Sequence, residues 1–180
     1  ADFFKVCKQV KDMLGSTAIP LQVPIGNEET FKGVVDLIAN KAIIWDEESK
    51  GMTYTEVEIP ADLMEQVQEF RQQLIEITAE YDDVLMEKFF DDPDSITEEE
   101  MRIAIRQAVI DGKFVPMMCG SSFKNKGVQA VLDAVCAFLP SPMDTEAVTG
   151  TNPKTDEPTS RKPSVDEPFC ALAFKVATDP

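Results

Sequence analysis

Lys113-Phe114-Val115-Pro116-Met117-Met118-Cys119 is a short continuous apolar run, followed by Gly120-Ser121-Ser122-Phe123 and then by a periodic stretch from Val128 to Leu139. An apolar run of this length predicts a strand buried on both faces of a parallel sheet. The Gly-Ser-Ser-Phe stretch predicts a sharp turn. Val128, Val131, Leu132, Val135 and Leu139 recur at helical intervals, which places them on the inward face of a helix. Strand, polar loop and helix make one α/β unit. Its loop lies at the carboxyl end of the strand, where sheets of this kind bind ligands.

Upstream, Phe3, Val6, Val10, Met13 and Leu14 predict a helix over residues 2–14 that Gly15 stops. A β-rich region follows, with strands expected at Ile19–Ile25, Val34–Val35, Ala42–Trp45 and Tyr54–Ile59. Pro20, Pro24, Gly26, Gly33, Gly51 and Pro60 punctuate it. Residues 61–91 predict one long helix or two consecutive ones. On a single helical wheel Glu65, Glu69, Glu76, Glu80, Asp83 and Glu87 cluster opposite Leu63, Val67, Phe70, Leu74, Ile77, Tyr81 and Leu85. Asp91-Asp92-Pro93-Asp94 breaks the pattern. Thr97 and Glu100 then spell a capping box that opens a helix through Ile103, Ala104, Ile105, Ala108 and Val109, ended by Gly112. Residues 140–168 hold six of the twelve prolines among Ser, Thr, Asp and Glu, and predict a linker with too little apolar surface to order itself. Phe169–Ala177 alternates as a strand, with Cys170, Leu172, Phe174 and Val176 on one side. A single terminal strand has no neighbour to pair with. Together with the helix pattern that begins directly at the first residues, it leads us to expect a piece of a longer polypeptide.

The 180 residues include 17 Lys and Arg, 33 Asp and Glu and no His, for a net charge of −16. Residues 61–100 alone carry 14 acidic and 2 basic side chains, a net of −12. So acidic a surface argues against direct binding to a nucleic-acid backbone, and the lack of His removes every imidazole mechanism. No apolar run reaches the length of a membrane span. Cys7, Cys119, Cys136 and Cys170 are widely spaced, and are expected to be small buried thiols of a reducing cytoplasm.

Around Gly120 the sequence departs from G-x-x-x-x-G-K-[ST], with Asn125 at the second Gly and Gly127 at the Ser/Thr position. Asn40-Lys41-Ala42-Ile43 and Asn125-Lys126-Gly127-Val128 both lack the Asp of N-K-x-D, so neither supplies an acceptor for guanine N1 and N2. Adjacent acidic pairs such as Asp82/Asp83 diverge by about 100° on a helix and read as solvated face. No catalytic residue and no metal-ligand set is assigned.

Cys119-Gly120-Ser121-Ser122-Phe123-Lys124-Asn125-Lys126-Gly127-Val128-Gln129 is similar to the fifth GTPase motif of the bacterial elongation factor G family, usually spelled GSAFKNKG. The likeness continues through Leu132-Asp133-Ala134-Val135 and Phe138-Leu139-Pro140-Ser141-Pro142. Pro24-Ile25-Gly26, Phe31–Leu37 and Met86-Glu87-Lys88 resemble the family's inserted subdomain, and Phe174–Pro180 resembles the opening strand of its second domain. The resemblance implies an α/β fold with an α+β insertion. Residues 1–16 and 112–139 would be the tail of a P-loop GTPase-type doubly wound domain. Residues 17–111 would be an inserted subdomain of short strands and three acidic or amphipathic helices, 140–168 a Pro-rich linker, and 169–180 the first strand of a β-barrel domain.

The same resemblance implies a part of the GTPase that drives translocation on the ribosome. GTP and Mg²⁺ would be bound by the parent protein, with no cofactor held by this piece, which is expected to be catalytically inactive. Ser121, Ser122 and Phe123 would form the nucleotide loop. There the residue at Ser122 (Ala in the usual spelling) reads guanine O6 through its backbone N–H, and Ser121 shapes the turn. The inserted subdomain would contact the basic ribosomal stalk protein through Glu76, Glu80, Asp83 and Glu87, whose carboxylates can steer a basic partner. A stand-alone acidic binding module is the alternative. A small-molecule enzyme built on the 120–127 loop is weaker, since no base or nucleophile lies near it.

Overall fold

The Asp2 carboxylate caps the first helix, α1 (Phe3–Leu14), by accepting from the Lys5 amide at 3.1 Å. Gly15 ends that helix in the left-handed region at φ 62° and donates its N–H to the Lys11 carbonyl. The expected boundaries hold because both ends are set by local capping chemistry. The chain then runs extended through β1 (Ala18–Pro20) and β2 (Gln22–Ile25), which belong to different sheets. Leu21, between them, donates to the Met117 carbonyl and accepts from the Leu37 amide. From β2 the chain forms an antiparallel meander with β3 (Gly33–Asp36), β4 (Lys41–Trp45) and β5 (Tyr54–Val57), in which Val23 faces Val35, Val34 faces Ile43 and Ile43 faces Glu56.

A 3-10 turn at Ala61–Leu63 leads into α2 (Met64–Ala79), which is followed by α3 (Asp83–Asp91) and α4 (Glu98–Ile110). Residues 61–91 therefore form two helices. The break is made by Asp82, whose side chain accepts from the Val84 and Leu85 amides at 2.9 and 3.1 Å and restarts the helix. Strand β6 (Val115–Met117) pairs in parallel with β1, and α5 (Val128–Phe138) closes this part of the chain.

The computed structural model describes residues 2–175 and divides into two compact units, one ending at Leu139 and the other starting at Pro140. In the first, Val23, Val35 and Leu37 from the meander, Leu74 and Ile75 from α2, Leu85 from α3, Met101 and Ile105 from α4, and Phe114 and Phe138 share one core. Arg71 of α2 donates to the carbonyls of Leu37 and Ile38, and Arg106 of α4 donates to those of Ala137 and Leu139 at 3.0 and 3.2 Å. These two guanidiniums satisfy carbonyls that the β3–β4 turn and the end of α5 would otherwise leave bare. In the second unit, β7 (Val148–Thr151) and β8 (Pro158–Arg161) form an antiparallel hairpin closed by hydrogen bonds from Asn152 to Glu157 and from Asp156 to Asn152.

Residues 113–119 do not form a strand buried on both faces: Val115 is exposed and β1 is the only neighbour of β6 among the described residues. The helix face assigned inward on α5 points largely outward, with Val131, Leu132, Val135 and Leu139 exposed while Ala134, Ala137 and Phe138 pack on the core. Val6, Met13 and Leu14 of α1 are exposed as well. A two-stranded parallel pair is too narrow to cover both helices, so their most apolar faces stay open. Cys136 and Cys170 are exposed rather than buried, Cys136 because it rides the outer side of α5. Residues 140–168 are not featureless, because local turn chemistry at Asn152 and Asp156 forms a hairpin without a core. Residues 169–175 form no strand, and Val176 and Ala177 of the expected strand lie outside the described residues.

Glu100 accepts from the Thr97 amide, the Thr97 hydroxyl and the Lys88 ammonium, and the Thr97 hydroxyl accepts from the Glu100 amide at 3.3 Å. The Lys88 hydrogen bond, then those from Thr97, hold the Glu100 carboxyl down to about 2. Its contribution to stability is complete above the ordinary carboxylate range and is lost as pH falls from there through about 2. Thr97→Ala is expected to cost about 1 kcal/mol in urea unfolding at neutral pH. Glu100→Gln should flatten the fall in stability below about pH 4.5, and equal acid profiles for the two proteins would refute this role.

Candidate functional site

The 120–127 loop is built from its own backbone and fastened from outside. Ser121 and Lys126 exchange two backbone hydrogen bonds, Ser121 N to Lys126 O at 2.8 Å and Lys126 N to Ser121 O at 3.0 Å. Within this bridge Lys124 donates to Ser121 O and Asn125 to Ser122 O, both at 3.1 Å, and Asn125 takes a left-handed φ of 53°. The two glycines are required by close approach. A Cβ on Gly120 would lie 2.7 Å from the Lys126 carbonyl oxygen, and one on Gly127, at φ 89°, would lie 3.0 Å from that of Cys119.

The amides of Ser122 and Phe123 meet no protein acceptor among the described residues. Ser122 is exposed, and the Phe123 ring, 99 % exposed, projects from the tip. Two adjacent free N–H groups on a pinned turn form an acceptor-seeking surface that can receive a carbonyl or an anion. Beside it a cleft of about 870 Å³ opens between the start of α1 (Asp2, Phe3, Phe4), the Gly26–Phe31 turn and Met118–Ser121. Ser121 lines this cleft, whereas Ser122 and Phe123 stand outside its wall.

The fastenings come from the β2–β3 and β4–β5 turns of the meander and from Trp45 of β4. Lys126 is 3 % exposed, and its ammonium donates to the Phe31 carbonyl at 3.1 Å and to Glu47 Oε1 at 2.9 Å. The Lys126 hydrogen bond and charge hold the Glu47 carboxyl below its ordinary range, although Glu47 is largely exposed. Lys124 reaches the Glu29 carbonyl and Asn125 the Lys50 carbonyl, each at 3.4 Å. Gln129, at the start of α5, donates to the Gly51 carbonyl at 2.9 Å and accepts from Trp45 Nε1 at 3.3 Å. Under the loop Phe31, Val34 and Trp45 form a small buried cluster that Ile43 and Cys119 pack against. Burial pushes the Cys119 thiol up to about 12. The Cys119 amide donates to Gln22 Oε1 at 3.4 Å.

The sequence places Ser121, Ser122 and Phe123 on this loop but does not single out Glu47, Gly51, Trp45, Lys126 and Gln129 as the groups that fasten it. Lys126 and Gln129 lie inside the quoted stretch, but the burial of Lys126 depends on turns 79 and 95 residues away in sequence. Glu76, Glu80, Asp83 and Glu87 are all exposed. They do not share one helix: Glu76 is on α2, Glu80 caps its end, and Asp83 and Glu87 are on α3. The single-wheel angles therefore do not carry across the break at Asp82. Among the described residues no cluster of acidic and Cys side chains is placed to hold a metal ion, and no helix is long and apolar enough to cross a membrane.

No family model matches the chain. All 180 residues match elongation factor G of Cytophaga hutchinsonii at 61 % identity and that of Amoebophilus asiaticus at 63 %. The chain spans about a quarter of the length of these curated relatives, 26 % and 25 %. A crystal structure of a Thermus thermophilus protein matches 89 % of the chain and 24 % of its own length, with a TM-score of 0.67 and 24 % identity. That structure establishes a shared mixed α/β fold.

Gly51, at φ 76°, leaves no room beside the loop: a Cβ there would lie 2.4 Å from the Asn125 carbonyl oxygen and 2.9 Å from that of Lys124. Gly51→Ala is therefore expected to push the loop off the β4–β5 turn and to cost at least about 1 kcal/mol. Amide exchange at Lys124–Lys126 should accelerate. Unchanged protection there would show that the contact does not hold the loop.

Proposed function

From a chain that is a relative of elongation factor G over all of its 180 residues, we propose that it supplies two parts of a ribosomal translocase, the closing portion of the GTPase domain and the subdomain inserted within it. The observation that carries this reading at the site is the pair of free amides at Ser122 and Phe123 on a turn pinned at both ends. Such a pair suits a purine carbonyl: the Ser122 N–H donates to guanine O6, Ser121 shapes the turn, and Phe123 shields the edge. A backbone donor is indifferent to the Ser for Ala exchange at Ser122. The adjoining cleft offers room for a base next to α1.

The remaining functions belong to the whole protein. GTP and Mg²⁺ belong there, since the spellings that hold phosphates and position the metal do not occur in these residues. We assign no cofactor and no catalysis to the segment itself. The apolar faces left open on α1 and α5 (Val6, Met13, Leu14, Val131, Leu132 and Val135) fit a seat for the remaining sheet of the GTPase domain. Residues 1–16 with 112–139, and 17–111, then stand as the two interleaved parts. Residues 140–168 lead to the second domain, with 169–180 as its first strand. The protein works in the cytoplasm on the ribosome. Exposed Glu76, Glu80, Asp83 and Glu87 form the acidic surface that meets a basic stalk protein, without direct contact to nucleic acid.

Two measurements test this. Calorimetric titration of the isolated segment with GTP and GDP should show no micromolar binding, because one amide hydrogen bond contributes about 0.5–1.5 kcal/mol while micromolar affinity needs about 8 kcal/mol. A micromolar dissociation constant would overturn the assignment of nucleotide binding to residues elsewhere. For the acidic surface, reversing Glu80 and Asp83 to Lys should slow association with the stalk protein in stopped flow. The unaltered protein should associate more slowly as salt rises and the Debye length shortens toward about 8 Å. Equal rates for both proteins at all salt concentrations would leave the carboxylates as plain solvated surface.

A further inference from the structure

Nothing within residues 120–127 fixes where the loop stands relative to a bound base. Its internal hydrogen bonds set its shape, and its position is set by the meander. The strongest attachment is Lys126. A buried ammonium must keep its acceptors, because water is not there to replace them. Its acceptors are the Phe31 carbonyl, at the end of the β2–β3 turn, and Glu47, in the β4–β5 turn. The β4–β5 turn is itself stiff: Asp46 accepts from the Glu48 and Ser49 amides at 3.1 and 3.0 Å, and Gly51 donates back to the Asp46 carbonyl at 3.1 Å. At the other end of the same residue, the Lys126 main chain is locked to Ser121 by two hydrogen bonds. Movement of the turn is therefore carried through the Lys126 side chain to its backbone, across to Ser121, and on to the next amide, that of Ser122.

We propose that Glu47 and Lys126 are positioning residues for guanine recognition, through which the inserted subdomain sets the placement of the Ser122 and Phe123 amides. This rests on the reading of the loop as the guanine-facing element given above. The pair touches no nucleotide. Whatever displaces the β4–β5 turn changes guanine affinity, and nucleotide binding biases the turn by the same free energy. A merely structural salt bridge would instead stabilise the fold without regard to the base.

The test uses the full-length protein that carries this segment, with dissociation constants for GDP and for the diphosphate of 2-aminopurine riboside, which keeps the 2-amino group and lacks O6 together with the N1 hydrogen. The unaltered protein should prefer GDP. Glu47→Ala and Lys126→Met should lower that preference by about two- to tenfold, the worth of one amide hydrogen bond, by weakening GDP and leaving the O6-free analogue unchanged. Lys126→Arg, which keeps a cation for Glu47, should retain more of the preference than Lys126→Met. If Lys126→Met does not fold, Glu47→Ala decides, since that side chain is 78 % exposed. An unchanged preference in Glu47→Ala, or equal weakening of both nucleotides, overturns the positioning role. No preference in the unaltered protein overturns the guanine reading itself.

Discussion

The main chain of Leu21 hydrogen-bonds in two directions, giving its N–H to Met117 and its carbonyl to Leu37. Through it one extended segment, Ala18–Ile25, serves a parallel pair with β6 and then an antiparallel meander with β3. The two sheets are thus continuous in backbone, with no flexible joint between them. Proline helps to force the change of neighbour: Pro20 ends β1, and Pro116 stands opposite Ile19 in the same short ladder, so each removes a donor from the pair. Ile19, Leu21 and Val23 then face one core along with residues of α2, α4 and α5. The β1–β6 pair and the meander with its helices are fused by burial as well as by covalent continuity.

That fusion explains why the loop after β6 can be held so firmly by side chains from distant parts of the sequence. The β2–β3 and β4–β5 turns are the far ends of strands whose near ends are already fixed at Leu21 and in the helical core. They arrive at the loop as rigid struts, and a buried lysine, the close approach of Gly51 and a Trp–Gln hydrogen bond make the junction. The acidic helices contribute nothing to it directly. Their carboxylates lie outward, and α3 owes its start to Asp82 rather than to continuity with α2.

How much of this was legible in sequence depended on how local the cause was. Helix α1 with its Gly15 stop, the Thr97–Glu100 box and the loop between Cys119 and Val128 were readable because capping and glycine chemistry act over a few residues. The Asp82 cap was equally local, but a continuous wheel over 61–91 concealed it. Orientation was harder. Apolar periodicity on α5 marks a face meant to be covered, yet it does not say by what, and in this chain Ala134, Ala137 and Phe138 found the core while the larger aliphatic side chains did not. The pairing of Glu47 with Lys126 was beyond sequence reasoning, since an exposed Glu in a turn and a Lys in a motif meet only when one extended segment joins two sheets. The hairpin at 148–161 shows the converse, an element made by turn residues in a stretch whose composition offers no core.

The open aliphatic faces of α1 and α5 also bear on how the molecule behaves as a colloid. A net charge of −16 surrounds them with repulsion that keeps copies apart in dilute buffer near neutrality. That protection is electrostatic, whereas the attraction between Leu132 or Val135 and any similar surface is not, so the balance turns on solution conditions rather than on sequence alone. Concentrated sulfate would screen the repulsion and strengthen the attraction together, whereas mild acid would remove the repulsion alone by protonating carboxylates. Crystallisation trials and storage should treat acidity and ionic strength as the variables that decide between dispersion and clumping.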